Sequence, residues 1–237
     1  MSHEFLPLAA AAAHVHIEAN ELKHIAQRGE IDAQIRSGEW YFEHAALDEW
    51  AQRHLLASSQ RELREQHRLM VDEQRRAQKG GWRVADLFAA GATDLAIPAK
   101  AKGGLIRDMT TLAERTGFVY DPEALFRELV AREEAASTAV GAGAAFLHPR
   151  YHDPYFFEQS FVAYGRSERP IFFGAPDGAA TRHFFLVCST NHDEHLHILA
   201  RLAILAHGTD LLERLDAAED AAAVLSAVRT CEEPYTT

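Results

Sequence analysis

The sequence predicts an α/β protein in which two folded parts are joined by a helical linker. The first part is a set of short helices around a small hairpin, and the last part alternates apolar strands with amphipathic helices. Such alternation favours a mixed sheet layered with helices. The net charge changes along the chain from −5 over residues 1–56 to +2 over residues 57–80 and −8 over the remainder. We therefore expect domains at 1–56 and 82–237, with a linker at 57–81.

Composition limits the classes of function. The chain has 237 residues, of which 47% are hydrophobic and 25% are charged, as in ordinary globular proteins. No stretch approaches the roughly 18 apolar residues of a membrane span, and the N-terminus lacks the basic region of a signal peptide. We expect a cytoplasmic protein with no membrane partner. A net charge of −11 disfavours non-specific nucleic-acid binding by the chain as a whole.

The first 56 residues contain three predicted helices and one hairpin. The stretch LAAAAAHV is the first helix, and EANELKHIAQRG is a second helix that ends at Gly29. IDAQIRSGEWYF gives two short strands around a turn at Ser37 and Gly38, and EHAALDEWAQRHL gives a third helix. Two short helices followed by a small β-wing form a winged helix-turn-helix pattern.

This segment resembles the excisionase/MerR-like helix-turn-helix family. The matching positions are Arg28, Gly29, Gly38, Trp40, Leu47 and Trp50. The resemblance implies DNA as a partner, and the candidate DNA-binding residues are Asn20, Lys23 and Arg28. Glu18 and Glu21 offset the positive charge that phosphate contacts require. The alternative is a module that serves packing or protein contact.

The linker sequence from Ala57 to Gly81 is rich in helix-forming residues and has no proline. We interpret it as a solvated helix that ends at Gly80 and Gly81. The alternative is a dimerising helix, which would make the protein a homodimer.

The last segment begins at Trp82 and alternates helices with strands. KAKGGLIRDMTTLAERTG is an amphipathic helix, and DPEALFRELVAREEAAS is a second helix with Asp121 as its N-cap. AAFL, SFVAYG, PIFFG and RHFFLVCS are predicted strands, with a turn from Pro176 to Gly178. Three further helices follow, in NHDEHLHILARLAILAHG, DLLERL and AAEDAAAVLSAV.

This segment resembles the enzyme IIA domain of the fructose/mannitol/nitrogen-regulatory class of the phosphotransferase system. The stretches that carry the resemblance are STAVGAGAAFLHPR, APDG and FFLVCSTNHDEHLHILARLAILAHG. The resemblance implies that His148 accepts a phosphoryl group from an HPr-like phosphocarrier protein. It also implies a regulatory role in nitrogen or carbon metabolism, because no sugar-transport membrane domain accompanies the segment. The chain is a phosphotransferase component if His148 is active.

The chemistry of the residues agrees with this role for His148. A phosphoryl acceptor needs an exposed imidazole with a neutral nitrogen and a fixed direction. Pro149 keeps the preceding residue extended, and strand ends are where α/β sheets place their sites. We therefore expect a surface histidine at a strand end that contributes little to packing.

Three further residues are candidates for the same site. His195 lies at the start of a predicted helix, at the head of its apolar stripe, where backbone N–H groups favour anions. The resemblance places Arg150 and Thr138 as phosphate-binding residues. The alternatives are a packing role for His195, a solvated Arg150, and a Thr138 that only ends the preceding helix.

Two positions depart from the family motif. Leu147 replaces a proline and Pro149 replaces a glycine, so the site has one backbone N–H fewer. The alternative function is therefore a transcriptional or protein-interaction regulator whose IIA-like domain senses without being phosphorylated.

A metal hydrolase is a competing interpretation. The candidate ligands are His148, His152, His192, Asp193, His195 and His197. His195 and His197 point about 200° apart on one helix and cannot share an ion, and no HExxH motif occurs. We expect no cofactor and no physiological metal.

Overall fold

The computed structural model describes residues 5–15, 17–57, 82–150 and 156–235. The chain divides into two compact units, Met1–Ala77 and Gln78–Thr237. The predicted linker helix, 57–81, and its dimerising face lie outside the described ranges except at Ala57, which ends a helix of the N-terminal unit. None of the helices within those ranges combines the length and the apolar character needed to cross a membrane.

The N-terminal unit is a three-stranded antiparallel sheet with three helices. Its elements are β1 (Phe5–Pro7), α1 (Leu8–His14), α2 (Ala19–Gln27), β2 (Ala33–Arg36), β3 (Glu39–Glu43) and α3 (His44–Ala57). The sheet order is β1-β3-β2. The three predicted helices and the hairpin are present, whereas β1 was not predicted because three residues are too short for a periodic signal.

The hairpin turn explains the Ser37–Gly38 pair. Both residues have positive φ, 52° and 84°, which is the backbone of a two-residue turn that matches the twist of its strands. Below the sheet, Leu22, Phe42 and Leu47 are fully buried, so the unit has a small apolar core of its own.

The C-terminal unit is a mixed five-stranded sheet covered by helices. It begins with a 3₁₀ turn, Val84–Leu87, followed by β4 (Phe88–Ile97), α4 (Lys102–Glu114), α5 (Pro122–Ala135), β5 (Ala139–Gly141) and β6 (Ala144–Leu147). Then come β7 (Phe161–Ile171), β8 (Thr181–Cys188), α6 (His192–Gly208), α7 (Leu211–Ala217), α8 (Ala221–Glu232) and a final 3₁₀ turn, Glu233–Tyr235. The mixed-sheet α/β class predicted for this segment is correct.

The strand order β4-β7-β8-β6-β5 decides where the site lies. Strands β6 and β8 are parallel neighbours, and β7 is antiparallel to β8. The carboxyl ends of β6 and β8 therefore meet at one edge of the sheet, together with the amino end of β7.

Three strand predictions need correction. Strands β4 and β5 were not predicted, because β4 is rich in alanine and β5 has only three residues. SFVAYG and PIFFG were expected to be separate strands, but one strand, β7, runs from Phe161 to Ile171 and includes the first two residues of PIFFG. Its pairing with β8 shifts register between Arg166 and Ile171, which accommodates Pro170 without ending the strand.

The sheet is buried on both faces. Phe184, Leu186 and Cys188 pack with α4 and α5 in one apolar cluster, and the alternate residues Phe185 and Val187 point to the opposite face. Helix α6 is buried from Leu196 to Ala206, as expected for a helix that is apolar nearly all round. The helix that carries His195 is thus fixed deep in the unit.

Candidate phosphoryl-acceptor site

The structure brings His148 and His195 together. His148 follows the last residue of β6, and His195 lies in the first turn of α6, just after β8 ends at the same edge. Their ring centroids are 5.0 Å apart with the ring planes at 62°, an edge-to-face arrangement. Asn191 caps α6 by accepting a hydrogen bond from Glu194 N, which fixes where the helix begins.

The hydrogen bonds of His148 determine which nitrogen is nucleophilic. Its Nδ1 lies 2.7 Å from the carbonyl oxygen of Phe146. Because a carbonyl only accepts, Nδ1 carries the proton and Nε2 carries the lone pair. Nε2 in turn accepts a hydrogen bond of 3.1 Å from Nε of Arg132. The imidazole is therefore neutral and fixed in direction, with its reactive nitrogen facing a guanidinium group.

Arg132 is the site residue that the sequence analysis missed. It lies in the last turn of α5, is 3% exposed, and donates a second bond of 2.8 Å from Nη1 to the carbonyl of Ala136. A signal was available: Leu125, Leu129 and Arg132 share one helical face, so the arginine continues the buried stripe. A guanidinium in this place offers several donors to the oxygens of a phosphoryl group.

His148 is fully buried, which corrects the expectation of an exposed surface histidine. Leu147 and Pro149 are buried on either side of it, and Arg132 and His195 cover the ring. The ring therefore contributes to packing and accepts a hydrogen bond from the buried guanidinium of Arg132. Any phosphoryl donor has to displace part of this covering to reach Nε2.

His195 is also fully buried, and its Nδ1 lies 3.1 Å from the hydroxyl of Ser189. Ser189 is itself buried in the short connection between β8 and α6. The hydroxyl can donate or accept, so this contact fixes the ring direction but leaves the tautomer open.

Thr138 and Arg150 are the two candidate phosphate-binding residues. The hydroxyl of Thr138 donates a bond of 2.5 Å to the buried carboxylate of Glu133. The same carboxylate also accepts hydrogen bonds from the backbone N–H of Thr138 and from Lys102. The carbonyl of Thr138 accepts from Phe146 N, so Thr138 ties the end of α5 to β6. Arg150 is exposed, and the guanidinium that contacts His148 belongs to Arg132.

The APDG motif holds the turn that leads into β6. Asp177 accepts bonds of 2.9 Å from the backbone N–H groups of Ala142 and Ala179. These bonds lower the pKa of the Asp177 carboxyl. Gly141 has a φ of +87°, and a Cβ there would lie 3.0 Å from the Asp177 carboxylate. Glycine is thus required at position 141 for the turn that sets the direction of β6 and so the position of His148 at its end.

A cavity of about 650 Å³ opens at the same edge of the sheet. Asp86, Glu158 and Glu194 are among its lining residues. Ser160 donates a hydrogen bond to Glu194 and accepts one of 3.0 Å from Thr190 N. The side chains of Asp86, Glu158 and Glu194 give this cavity an acidic lining.

The metal ligands considered from the sequence are only partly described by the structure. Among the residues that the structure describes, no group of three ligand side chains forms around His148 and His195. His152 lies outside the described ranges, and the side chain of Asp193 is not described. The pair of histidines is instead paired with Arg132 and Ser189.

Comparison with known proteins decides the family. Residues 86–230 match the family model of the phosphoenolpyruvate-dependent sugar phosphotransferase system, EIIA 2. The chain belongs to this family. A nitrogen regulatory protein of Bradyrhizobium diazoefficiens is 32% identical over 146 residues, which cover 60% of this chain and 92% of that protein. Residues 1–85 lie outside the family match.

Solved structures of enzyme IIA proteins share the fold. The nitrogen regulatory protein IIA-Ntr of Neisseria meningitidis superposes with a TM-score of 0.55 at 26% identity, covering 61% of this chain and 98% of that one. The Escherichia coli mannitol enzyme IIA, solved in complex with phosphorylated enzyme IIB, has a TM-score of 0.53 at 19% identity and covers 60% and 97%. The α/β unit is therefore an EIIA domain similar to nitrogen regulatory proteins.

Proposed function

We propose that the EIIA domain accepts a phosphoryl group on Nε2 of His148 from an HPr-like phosphocarrier protein. The observation that carries the proposal is the pair of bonds on the imidazole. The N–H at Nδ1 donates a hydrogen bond to Phe146 O, and the lone pair on Nε2 faces the Arg132 guanidinium. A neutral, oriented imidazole beside a cation is the arrangement that phosphoryl transfer to histidine requires.

The transfer itself needs no proton from the site. Nε2 forms a bond to phosphorus while the bond between phosphorus and the donor atom breaks, and that electron pair returns to the donor. Nδ1 keeps its proton throughout, so the positive charge that develops on the ring is stabilised by the Phe146 carbonyl. Arg132 must give up its bond to Nε2 and then binds the phosphoryl oxygens.

The alternative is an EIIA domain that senses a partner without being phosphorylated. Two observations favour it: the complete burial of His148 and the missing N–H at Pro149. A transfer assay decides between the two. The protein is incubated with a phosphorylated HPr homologue, and acid-labile phosphate is mapped by mass spectrometry. Stoichiometric label on His148 supports the acceptor, and absence of label supports the sensor.

Restoring the missing N–H should accelerate transfer. Pro149→Ala supplies a backbone donor at the position where the family motif has glycine, and one bond to a charged group is worth about tenfold or more in rate. Pro149→Gly adds the same donor but loosens the backbone. We expect Ala to be at least as fast as Gly and both faster than the native protein in the transfer assay. Equal or slower transfer in both variants would show that the missing donor does not limit the rate.

His195 should assist the bound phosphoryl group. Replacing it with glutamine removes the imidazole 5.0 Å from His148 but keeps a polar side chain. We expect transfer to slow by about tenfold to a hundredfold, the worth of one hydrogen bond to a charged group. His207→Gln, at the other end of α6, is the matched control and should transfer normally. An unchanged rate in His195→Gln would leave His195 with a packing role only.

The relatives support a regulatory role. The similar proteins from Bradyrhizobium diazoefficiens and Neisseria meningitidis are nitrogen regulatory proteins, so we propose signalling in nitrogen or carbon regulation in the cytoplasm. The regulatory signal would depend on whether His148 carries a phosphoryl group.

A second function is proposed for the N-terminal unit, namely DNA binding by a winged helix-turn-helix. Two short helices followed by a hairpin with a tight turn favour it. Asn20 is exposed on α2, and Lys23 is half-buried. Arg28 is exposed, but its Nε donates a bond of 2.6 Å to Glu30, which competes with any phosphate contact. Protein contact through the same module is the alternative.

The Arg28–Glu30 pair gives a sharp test of DNA binding. Glu30→Gln should free Arg28 and raise affinity a few-fold, the usual worth of an exposed ion pair. Lys23→Ala with Arg28→Ala should lower the slope of log affinity against log salt by about two units. Binding is measured by fluorescence anisotropy over a salt series. If the slope of log affinity against log salt is the same in the native protein and in all of these variants, the protein-contact alternative is favoured.

A further inference from the structure

Three side chains of the N-terminal unit converge between two helices. His14 is the last residue of α1, His44 is the first residue of α3, and Asp48 lies one turn further along α3. His14 Nε2 is 2.6 Å from Asp48 Oδ1, and His44 Nδ1 is 3.4 Å from Asp48 Oδ2. Within the described part of the chain this is the one group of three histidine, cysteine or acidic residues whose ligand atoms all lie within 4.8 Å of one another.

The geometry suits a small divalent cation. The side chains of His14 and Asp48 are 13% and 14% exposed, so the group is partly shielded from water. The two imidazole centroids are 4.3 Å apart and the rings are tilted by 47°, which turns a nitrogen of each ring toward the same carboxylate. Tetrahedral zinc with bonds of about 2.0–2.1 Å needs ligand atoms roughly 3.4 Å apart. The observed separations require only small side-chain adjustments to reach that value.

Two imidazoles that converge on one carboxylate form an arrangement that a divalent ion can bind. A single divalent ion satisfies two neutral imidazoles and one carboxylate at the same point. To ligate the ion through Nε2, the His14 ring must carry its proton on Nδ1, so binding transfers that proton from one ring nitrogen to the other through solvent and the imidazole stays neutral.

The size of the unit gives the ion a structural purpose. A module of about 50 residues buries too little apolar surface to be very stable, and small domains often depend on a metal. Here the ligands come from two helices, so an ion would fasten the end of α1 to the start of α3.

We propose that His14, His44 and Asp48 form a binding site for a zinc-like divalent transition metal, with water as the fourth ligand. Two imidazoles favour such ions over Ca²⁺ and Mg²⁺, which prefer sites made entirely of oxygen. The proposal replaces, for the N-terminal unit, the expectation that the chain binds no physiological metal. It is independent of phosphoryl transfer at His148.

Calorimetry of the full-length protein tests the site. Chelator-treated protein is titrated with zinc sulfate at neutral pH. The variants His14→Gln and Asp48→Asn are compared with the control His54→Gln, which changes an exposed histidine on α3, the helix that carries Asp48. We expect one site per chain whose affinity falls at least tenfold in the first two variants and is unchanged in the third. No binding, or binding that is equal in all four proteins, would overturn the proposal, and equal binding would place the zinc on other histidines.

Hydrogen exchange provides a test that does not depend on the variants folding. In the native protein, zinc should slow backbone exchange in α1 and α3, while the same concentration of magnesium should not. Zinc-dependent protection confined to these two helices supports the site. Protection elsewhere only, or none, would contradict it.

Discussion

Replacing His148 with glutamine should abolish phosphoryl acceptance. Glutamine has no nucleophilic nitrogen, but its amide oxygen can still accept a hydrogen bond from Arg132, so the buried guanidinium keeps a partner. The measurement is transfer of labelled phosphate from an HPr homologue, with circular dichroism to confirm folding. Full labelling of His148→Gln would show that another residue is the acceptor.

Alanine at the same position tests the burial of the ring. Because His148 is fully buried and bonded to Arg132, His148→Ala leaves a cavity and removes the acceptor that Arg132 Nε uses. We expect a loss of about 2–4 kcal/mol in the free energy of unfolding, measured by urea denaturation. A loss below about 0.5 kcal/mol would indicate the surface histidine that the sequence alone suggested.

Removing the Arg132 guanidinium should have the second largest effect on transfer. Arg132→Met keeps much of the side-chain volume but removes every donor, and loss of a preorganised donor typically costs about 10²–10³ in rate. Arg132→Lys is the matched variant, since it keeps the charge but loses the planar fork. We expect lysine to recover part of the rate, and we expect Arg150→Met to transfer almost normally.

Single-turnover kinetics with a saturating phosphorylated donor separate this effect from donor binding. A rate in Arg132→Met within about threefold of native would remove Arg132 from the transfer step. A large loss in Arg150→Met instead would return the phosphate-binding role to the residue identified by the family motif.

The family resemblance singled out His148 and His195, and local sequence signals agreed with their positions. A proline ends β6 directly after His148, and the helical phase places His195 at the head of a buried stripe. These are properties of a few neighbouring residues. Only the strand order, in which β6 lies parallel beside β8, was needed to bring the two rings together.

What the sequence analysis missed depends on contacts distant in the chain. Nothing near His148 indicates that Arg132 and His195 will cover it, so its burial was not predicted. Arg132 lies in the charged run REE, which suggests a solvated surface. Only its position on the same helical face as the apolar Leu125 indicates that it is buried. Strand β4 has little intrinsic strand signal and is held by its parallel pairing with β7.

The most direct test of the central claim is the position of the phosphate on the imidazole ring. The ¹⁵N-labelled protein is phosphorylated by an HPr homologue, and the two ring nitrogens of His148 are distinguished by nuclear magnetic resonance. The bond from Nδ1 to Phe146 O predicts phosphate on Nε2, with the proton retained on Nδ1. Phosphate on Nδ1, on another histidine, or on no residue would contradict the account.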